Sequence, residues 1–308
     1  MSASPLLDSL PAERELALLS IGDWIRAIAS EMSRMQTGLG QGVQTHWDDA
    51  RWLVLGGLAL PVETSEPLES LRLLPAEKLH LWMLTQRRIQ MREPTAYILG
   101  AAMLRGHRFR SDPRAIIPRS LLAEFLSPAD IPGQHEAPVT ILDLCTGGGS
   151  LAILAALAYP EAEVLAVDIS PAALELAAEN LHDFGLTDRV RLVQSDLFYG
   201  LPSDSRFDLI LCNPPYVPTA SIDAAPEEFG HEPRLALEAG DDGMQMLRRL
   251  LAQCPGRLRQ GGQLLVEVGL EYKNTKALFE QAFPALEPIW LQTEETTDQV
   301  FMLTGDTR

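Results

Sequence analysis

The chain has 308 residues, 46% of them hydrophobic, and a formal net charge of −17. That length and apolar content suffice for one full α/β domain and a smaller helical one, without disulfide or metal staples. No apolar stretch approaches the ~18 residues of a membrane span, and no basic-then-apolar leader opens the chain, so a cytoplasmic protein with no membrane partner is expected. The acid excess is lopsided: residues 1–135 hold 14 Lys/Arg and 15 Asp/Glu, and the remainder carries a net charge of −16. An acidic second half is a poor match for duplex DNA, so no direct DNA binding is expected. It suits a basic protein partner, and equally a role in solubility alone. The three cysteines, Cys145, Cys212 and Cys254, form no C-x-x-C pair. Cys145 and Cys212 read as small apolar fillers in a reduced compartment. The histidines show no ligand spacing, so no metal site is expected.

Residues 12–36 and 47–58 carry helical apolar spacing, interrupted by the glycine-rich run from Thr37 to Gly42. Pro75 is placed to open a third helix running to Glu93, just before Pro94. From Pro94 to Gly100 the chain reads as entering an extended segment, with a hairpin around Gly106. Pro132 to Glu136 reads as a loop before the first strand of the second domain. The expected division is a helical domain at 1–100, a hairpin and linker at 101–135, and an α/β domain at 136–308.

The run from Val139 through Ser150 is an apolar strand entering a glycine turn, followed by an apolar helix from Leu151 to Ala158. Glycines let backbone approach a ligand closely, and a helix N-terminus offers free N–H groups. Gly147, Gly149 and Ala152 fit the dinucleotide pattern G-x-G-x-x-A, which by itself admits a nicotinamide enzyme. Asp143 precedes Gly147 by four residues, where a carboxylate could hold an amino acid end directly or through water. The next strand, Ala162 to Val167, ends at Asp168, positioned to accept both hydroxyls of a ribose. Ser170 and Pro171 supply the cap and first residue of a helix that ends at Gly185. A strand from Val190 to Gln194 leads to Asp196, a candidate acceptor for an adenine amino group. Leu197 could offer its N–H to the same ring.

The second motif follows another apolar strand, Phe207 to Cys212, and reads Asn213-Pro214-Pro215-Tyr216. Two prolines stiffen the backbone and leave only carbonyls to present. The Asn213 side-chain oxygen and the Pro214 carbonyl could each take one N–H of a planar NH₂ group, with Tyr216 lying against it. This suits methyl transfer to an amide or exocyclic amine nitrogen and has no role in hydride transfer. It therefore favours S-adenosylmethionine over a nicotinamide as cofactor. Asn213, Pro214 and Tyr216 are the expected catalytic residues.

On these motifs the chain resembles the class I S-adenosylmethionine-dependent methyltransferases that modify a glutamine side-chain amide, over about Trp47 to Leu303. The resemblance implies an α/β fold, a Rossmann-like seven-stranded sheet with one antiparallel strand near its edge, beside a small helical N-terminal domain that helps hold a protein substrate. It implies cofactor contacts from Asp143, Thr146, Gly147, Gly149, Asp168, Asp196, Leu197 and Asn213. Substrate contacts are expected from Asn213, Pro214, Pro215, Tyr216 and Arg119. Of two branches, one acts on release factors and one on large-subunit ribosomal protein L-three. Ile117-Pro118-Arg119-Ser120, Asp143-Leu144-Cys145-Thr146-Gly147, His231-Glu232-Pro233-Arg234 and Glu267-Val268-Gly269 resemble the second. Its substrate would be that basic ribosomal protein, alone or in an assembly intermediate. Gly148 departs from the serine of many relatives. Arg119 and Glu124 could bridge domains, touch substrate or form an ordinary surface pair. His231 and Glu232 could line a substrate entrance or a solvated loop. A release-factor enzyme, a DNA adenine methyltransferase and a non-catalytic assembly factor are the alternatives.

Overall fold

A computed structural model describes residues 18–62, 68–127, 129–134, 136–269, 275–294 and 296–305. Two compact units emerge. The first lies within Met1–Ala102 and takes in Pro226–His231; the second comprises Met103–Ala225 and Glu232–Arg308. The expected 136–308 domain is thus interrupted, because a six-residue segment downstream of the Asn-Pro-Pro-Tyr motif belongs to the helical unit.

The helical unit contains α1 (Ile21–Arg34), α2 (His46–Gly57), α3 (Pro75–Gln90) and the short α4 (Thr95–Leu99). The part of the expected first helix before residue 18 lies outside the described residues. Ser20 and Asp23 form a reciprocal capping box that starts α1, satisfying N–H groups that would otherwise be orphaned. Helix α3 stops at Gln90 rather than Glu93, since Arg92 adopts a left-handed φ of 54°. The segment Thr95–Leu99, expected to be extended, is instead one helical turn. Pro94 pre-sets its entry and Gly100, at φ 64°, ends it. Trp24, Ile25, Ile28, Met32, Leu53, Leu55 and Leu81 fill this unit's core.

The same unit holds a buried charge cluster. The Arg88 guanidinium donates to Asp49 Oδ2 at 2.9 Å, Glu228 Oε1 at 3.1 Å and the Gly38 carbonyl at 2.8 Å. Arg92 adds a second donor to Glu228 at 3.3 Å. Burial works against the Glu228 charge, but backbone N–H donors and the Arg88 guanidinium win and hold its carboxyl below the usual range. These contacts account for why Pro226–His231 belongs to the helical unit.

The second unit is built on a seven-stranded sheet. Its strands are β3 (Thr140–Leu144), β4 (Glu163–Asp168), β5 (Val190–Gln194), β6 (Phe207–Cys212), β7 (Leu258–Glu267), β8 (Ile289–Leu291) and β9 (Val300–Thr304). A separate ribbon of β1 (Ala101–Leu104) and β2 (His107–Arg110) turns at Arg105 and Gly106, both at positive φ. The large sheet runs β5-β4-β3-β6-β7-β9-β8, with β9 alone antiparallel to its neighbours. The order reverses between β3 and β6, the switch point where open α/β sheets place ligands. One face packs on α5 (Ser150–Ala158) and the 3-10 turn Leu121–Phe125. The other carries Ile210, Leu264, Val266 and Phe301, covered by Phe279 and by α8 (Gln245–Gln253), which follows α6 (Pro171–Asp183) and α7 (Thr219–Ala224) in the chain.

Arg88→Ala would leave the buried Asp49 without a guanidinium partner and Glu228 with Arg92 as its remaining one. We expect it to lower unfolding free energy by about 3–5 kcal/mol, read by chemical denaturation. A loss below 1 kcal/mol would mean that water already reaches the cluster.

Candidate active site

Strand β3 leads into a tight turn that passes through left-handed backbone. Cys145, Gly147 and Gly149 take φ values of 59°, 56° and 83°. A Cβ on Gly149 would also lie 3.1 Å from the Ala177 Cβ. Asp143, fully buried, sews the turn: its Oδ2 accepts from the Thr146 hydroxyl at 2.5 Å and the Ala152 N–H at 3.0 Å. Burial pushes the Asp143 carboxyl up to about 7 against those two bonds. Its Oδ1 is buried and has no hydrogen-bond partner among the described residues. Such an orphaned acceptor costs free energy unless a ligand or water supplies a donor.

Asp168, at the end of β4, braces the same turn from the side. Its Oδ2 accepts from the Gly147 N–H at 2.8 Å, and its Oδ1 from the Ser170 N–H at 2.9 Å. Each oxygen keeps a further lone pair. The Asp168 carbonyl takes the Ser195 N–H at 2.9 Å, which carries the edge on to Asp196 and Leu197. Leu197 adopts φ 49°, and Ser195 holds its carbonyl at 2.9 Å. Asp196 accepts from Arg249 at 2.6 Å through Oδ2. The arginine, on α8, was not evident from the sequence because it lies 53 positions away.

Cys212 pairs with Leu144 on one side and Val266 on the other, so Asn213 emerges beside the glycine turn. The Asn213 amide is partly buried and makes no hydrogen bond to another described residue. Pro214 and Pro215 are buried. Tyr216 is seated differently from a free stacking platform. A Cβ on Gly269 would fall 2.3 Å from its ring, and its hydroxyl donates to Glu267 Oε1 at 3.3 Å. Burial, then the nearby Glu267 charge, raises its phenol well above the ordinary range.

Arg119 is neither a surface pair nor free. It donates to Glu232 Oε2 at 2.7 Å, and that buried carboxylate also takes the Ile117 N–H at 3.0 Å. Glu232 is therefore part of the packed interior, and a solvated-loop reading is corrected for it. The His231 ring, by contrast, sits 2.9 Å from the Met91 carbonyl within the helical unit. Glu124 accepts from the Glu294 N–H at 2.9 Å. Asn180 was also missed by sequence reading: its amide donates to the Gly148 carbonyl at 2.8 Å and accepts from the Arg110 N–H at 2.7 Å. A Cβ on Gly148 would approach the Leu176 side chain to 3.3 Å, so the position favours a small residue.

The carboxyl edge of the sheet thus presents three carboxylates, a glycine turn and one unpartnered amide. The chemistry of this set fits S-adenosylmethionine, whose ammonium, ribose hydroxyls and adenine amino group are all hydrogen-bond donors. A family model for the methyltransferase small domain matches residues 121–241. A ribosomal protein uL3 glutamine methyltransferase from Bordetella pertussis is 47% identical over 94% of this chain and 96% of its own length. The Burkholderia pseudomallei enzyme of that name is 39% identical over 92% of this chain and 94% of its own. The chain belongs to this methyltransferase family. Its sheet is the class I S-adenosylmethionine-dependent methyltransferase fold, and S-adenosylmethionine is its cofactor. A third family member, from Neisseria meningitidis serogroup A, is 39% identical over 94% of both chains.

Because Asp143 holds its proton up to about 7 when folded and to about 4 when unfolded, its contribution to stability is full below pH 4. It falls as pH rises, at about 1.4 kcal/mol per unit, until pH 7. Asp143→Asn should remove that slope. Denaturation curves of the two cofactor-free proteins at pH 5 and 7.5 measure it; parallel pH dependence would show that Asp143 is ionised throughout.

Proposed function

We propose that this protein transfers the methyl group of S-adenosylmethionine to a glutamine side-chain nitrogen of ribosomal protein uL3. The observation that carries the chemistry is the unpartnered Asn213 amide at the switch point, on a turn stiffened by two prolines. The near-full-length relatives named for uL3 support the substrate.

S-adenosylmethionine, when bound, supplies an electrophilic methyl group on a sulfonium. Asp143 Oδ1 and the turn at Thr146, Gly147 and Gly149 would hold its amino acid end. Asp168 would take the ribose hydroxyls. Asp196, steadied by Arg249, would accept from the adenine amino group beside Leu197. Asn213 stands next to both the cofactor turn and the acceptor.

An amide nitrogen is a weak nucleophile because its lone pair is delocalised into the carbonyl. Asn213 Oδ1 and the Pro214 carbonyl accept its two N–H groups, fixing the nitrogen with one face open. Aligned reactants can lower a barrier by roughly 7–11 kcal/mol. The same two acceptors disperse positive charge as it develops on nitrogen. Pro215 stiffens the turn, and Tyr216 walls the acceptor site. The proton then leaves the methylated nitrogen to solvent. The helical unit contributes recognition of the protein substrate. The excess of acid in the second half of the chain favours encounter with a basic ribosomal protein.

The test offers methyl-labelled cofactor together with undermethylated uL3, release factor or DNA, and maps the label by mass spectrometry. Label on a uL3 glutamine is the expected result; label on release factor alone would reassign the substrate. Asn213→Ala should lower turnover by roughly 100-fold or more while the protein stays folded. Turnover near wild type would remove Asn213 from the mechanism.

A further inference from the structure

Glu267 closes β7 one residue beyond Val266, the partner of Cys212. It therefore stands level with Asn213 at the same edge of the sheet. Its side chain is 5% exposed and both oxygens are engaged. Oε2 accepts from the Ser120 hydroxyl at 2.6 Å and the Leu121 N–H at 2.9 Å, and Oε1 from the Tyr216 hydroxyl at 3.3 Å. The Arg119 charge acts on both Glu267 and Tyr216, and Glu232 anchors that arginine.

A buried carboxylate is a poor means of gaining stability, since a well-packed apolar residue of similar volume often does as well or better. It is an effective means of fixing three donors at once. Here the donors come from two separate stretches, the Ser120–Leu121 turn and the end of the Asn213–Tyr216 motif. Tyr216 is pressed further into place by two glycines. A Cβ on Gly269 would collide with its ring, and one on Gly243, at φ 73°, would lie 2.5 Å from its carbonyl oxygen. The hydroxyl bond to Glu267 fixes the remaining rotation of a ring already held on its face.

Resting on the function proposed above, we infer that Glu267 is a positioning residue for methyl transfer. Through the Tyr216 hydroxyl it aligns the Asn213–Tyr216 turn with the Ser120–Leu121 turn, and so sets where the Asn213 amide and Pro214 carbonyl meet the acceptor nitrogen. Glu267 itself neither touches the acceptor nor moves a proton. Glutamine can reproduce most of the arrangement. Its carbonyl oxygen accepts from Ser120 and Leu121, and its NH₂ donates to a Tyr216 oxygen that has turned to accept.

The experiment compares full-length wild type with Glu267→Ala, Glu267→Gln, Tyr216→Phe and the double variant Glu267→Ala/Tyr216→Phe. Two readouts are used: hydrogen–deuterium exchange of the peptide spanning 213–218, and kcat and KM for methyl transfer to uL3. Glu267→Ala is expected to speed exchange in that peptide and to lower kcat roughly 10–100-fold, the scale of a small misplacement at a reacting centre. KM and cofactor affinity should stay near wild type, and Glu267→Gln should recover most of kcat. Adding Tyr216→Phe to Glu267→Ala should cost nothing more, because Glu267→Ala already removes the bond that Tyr216→Phe deletes. Wild-type exchange and kcat in folded Glu267→Ala would overturn the inference, as would effects that multiply in the double variant. If Glu267→Ala fails to fold, Tyr216→Phe decides: unchanged exchange and kcat in that variant would overturn it. Wild type that leaves uL3 unlabelled would refute the substrate alone, and the exchange readout would still decide the role of Glu267.

Discussion

The site depends on one constraint: parallel strands that end together leave their last backbone groups without partners, and side chains at those ends must satisfy them. Asp143 and Asp168 do this for the glycine turn. Between them they accept from the Thr146 hydroxyl and from the N–H groups of Ala152, Gly147 and Ser170. Carboxyl groups suit the task because their two oxygens can hold separate donors at once. The arrangement leaves negative groups lined along the edge, and that edge then favours a ligand rich in donors.

Burial gives the three acids of this region different characters. Asp143 is sealed and keeps one oxygen unsatisfied. Asp168 is braced on both oxygens and is also pushed up by burial, against its N–H donors. Glu267 is sealed and fully bonded, and burial raises it too. Carboxylates that are costly to ionise concentrate where they fix backbone turns. Elsewhere on the chain, pairs such as Arg234–Glu238 are exposed and contribute little to stability.

The helical unit shows the same economy in another form. Arg88 is buried, and three of its donors are matched to Asp49, Glu228 and the Gly38 carbonyl. Glu228 comes from the segment that follows the Asn-Pro-Pro-Tyr motif by about a dozen positions, so the chain that carries the reacting turn also completes the helical unit. A guanidinium fork serves here because it can satisfy several acceptors with a fixed geometry, which an ammonium does not.

Much of the protein was determined by local sequence alone. The glycine turn, the acids at the strand ends and the stiff Asn213–Tyr216 motif are each written within a few consecutive residues, because turn conformation and strand periodicity are short-range properties. Strands β3, β4, β5 and β6 could be read for the same reason, as could the cofactor class. Tertiary structure decided what depends on distant pairing. It paired Arg119 with the buried Glu232, set Arg249 on Asp196, and seated Tyr216 between Gly243, Gly269 and Glu267. It also moved Pro226–His231 into the helical unit and made Thr95–Leu99 a helical turn. These outcomes turn on burial and on partners tens of residues away, and local spacing in the chain carries no record of either.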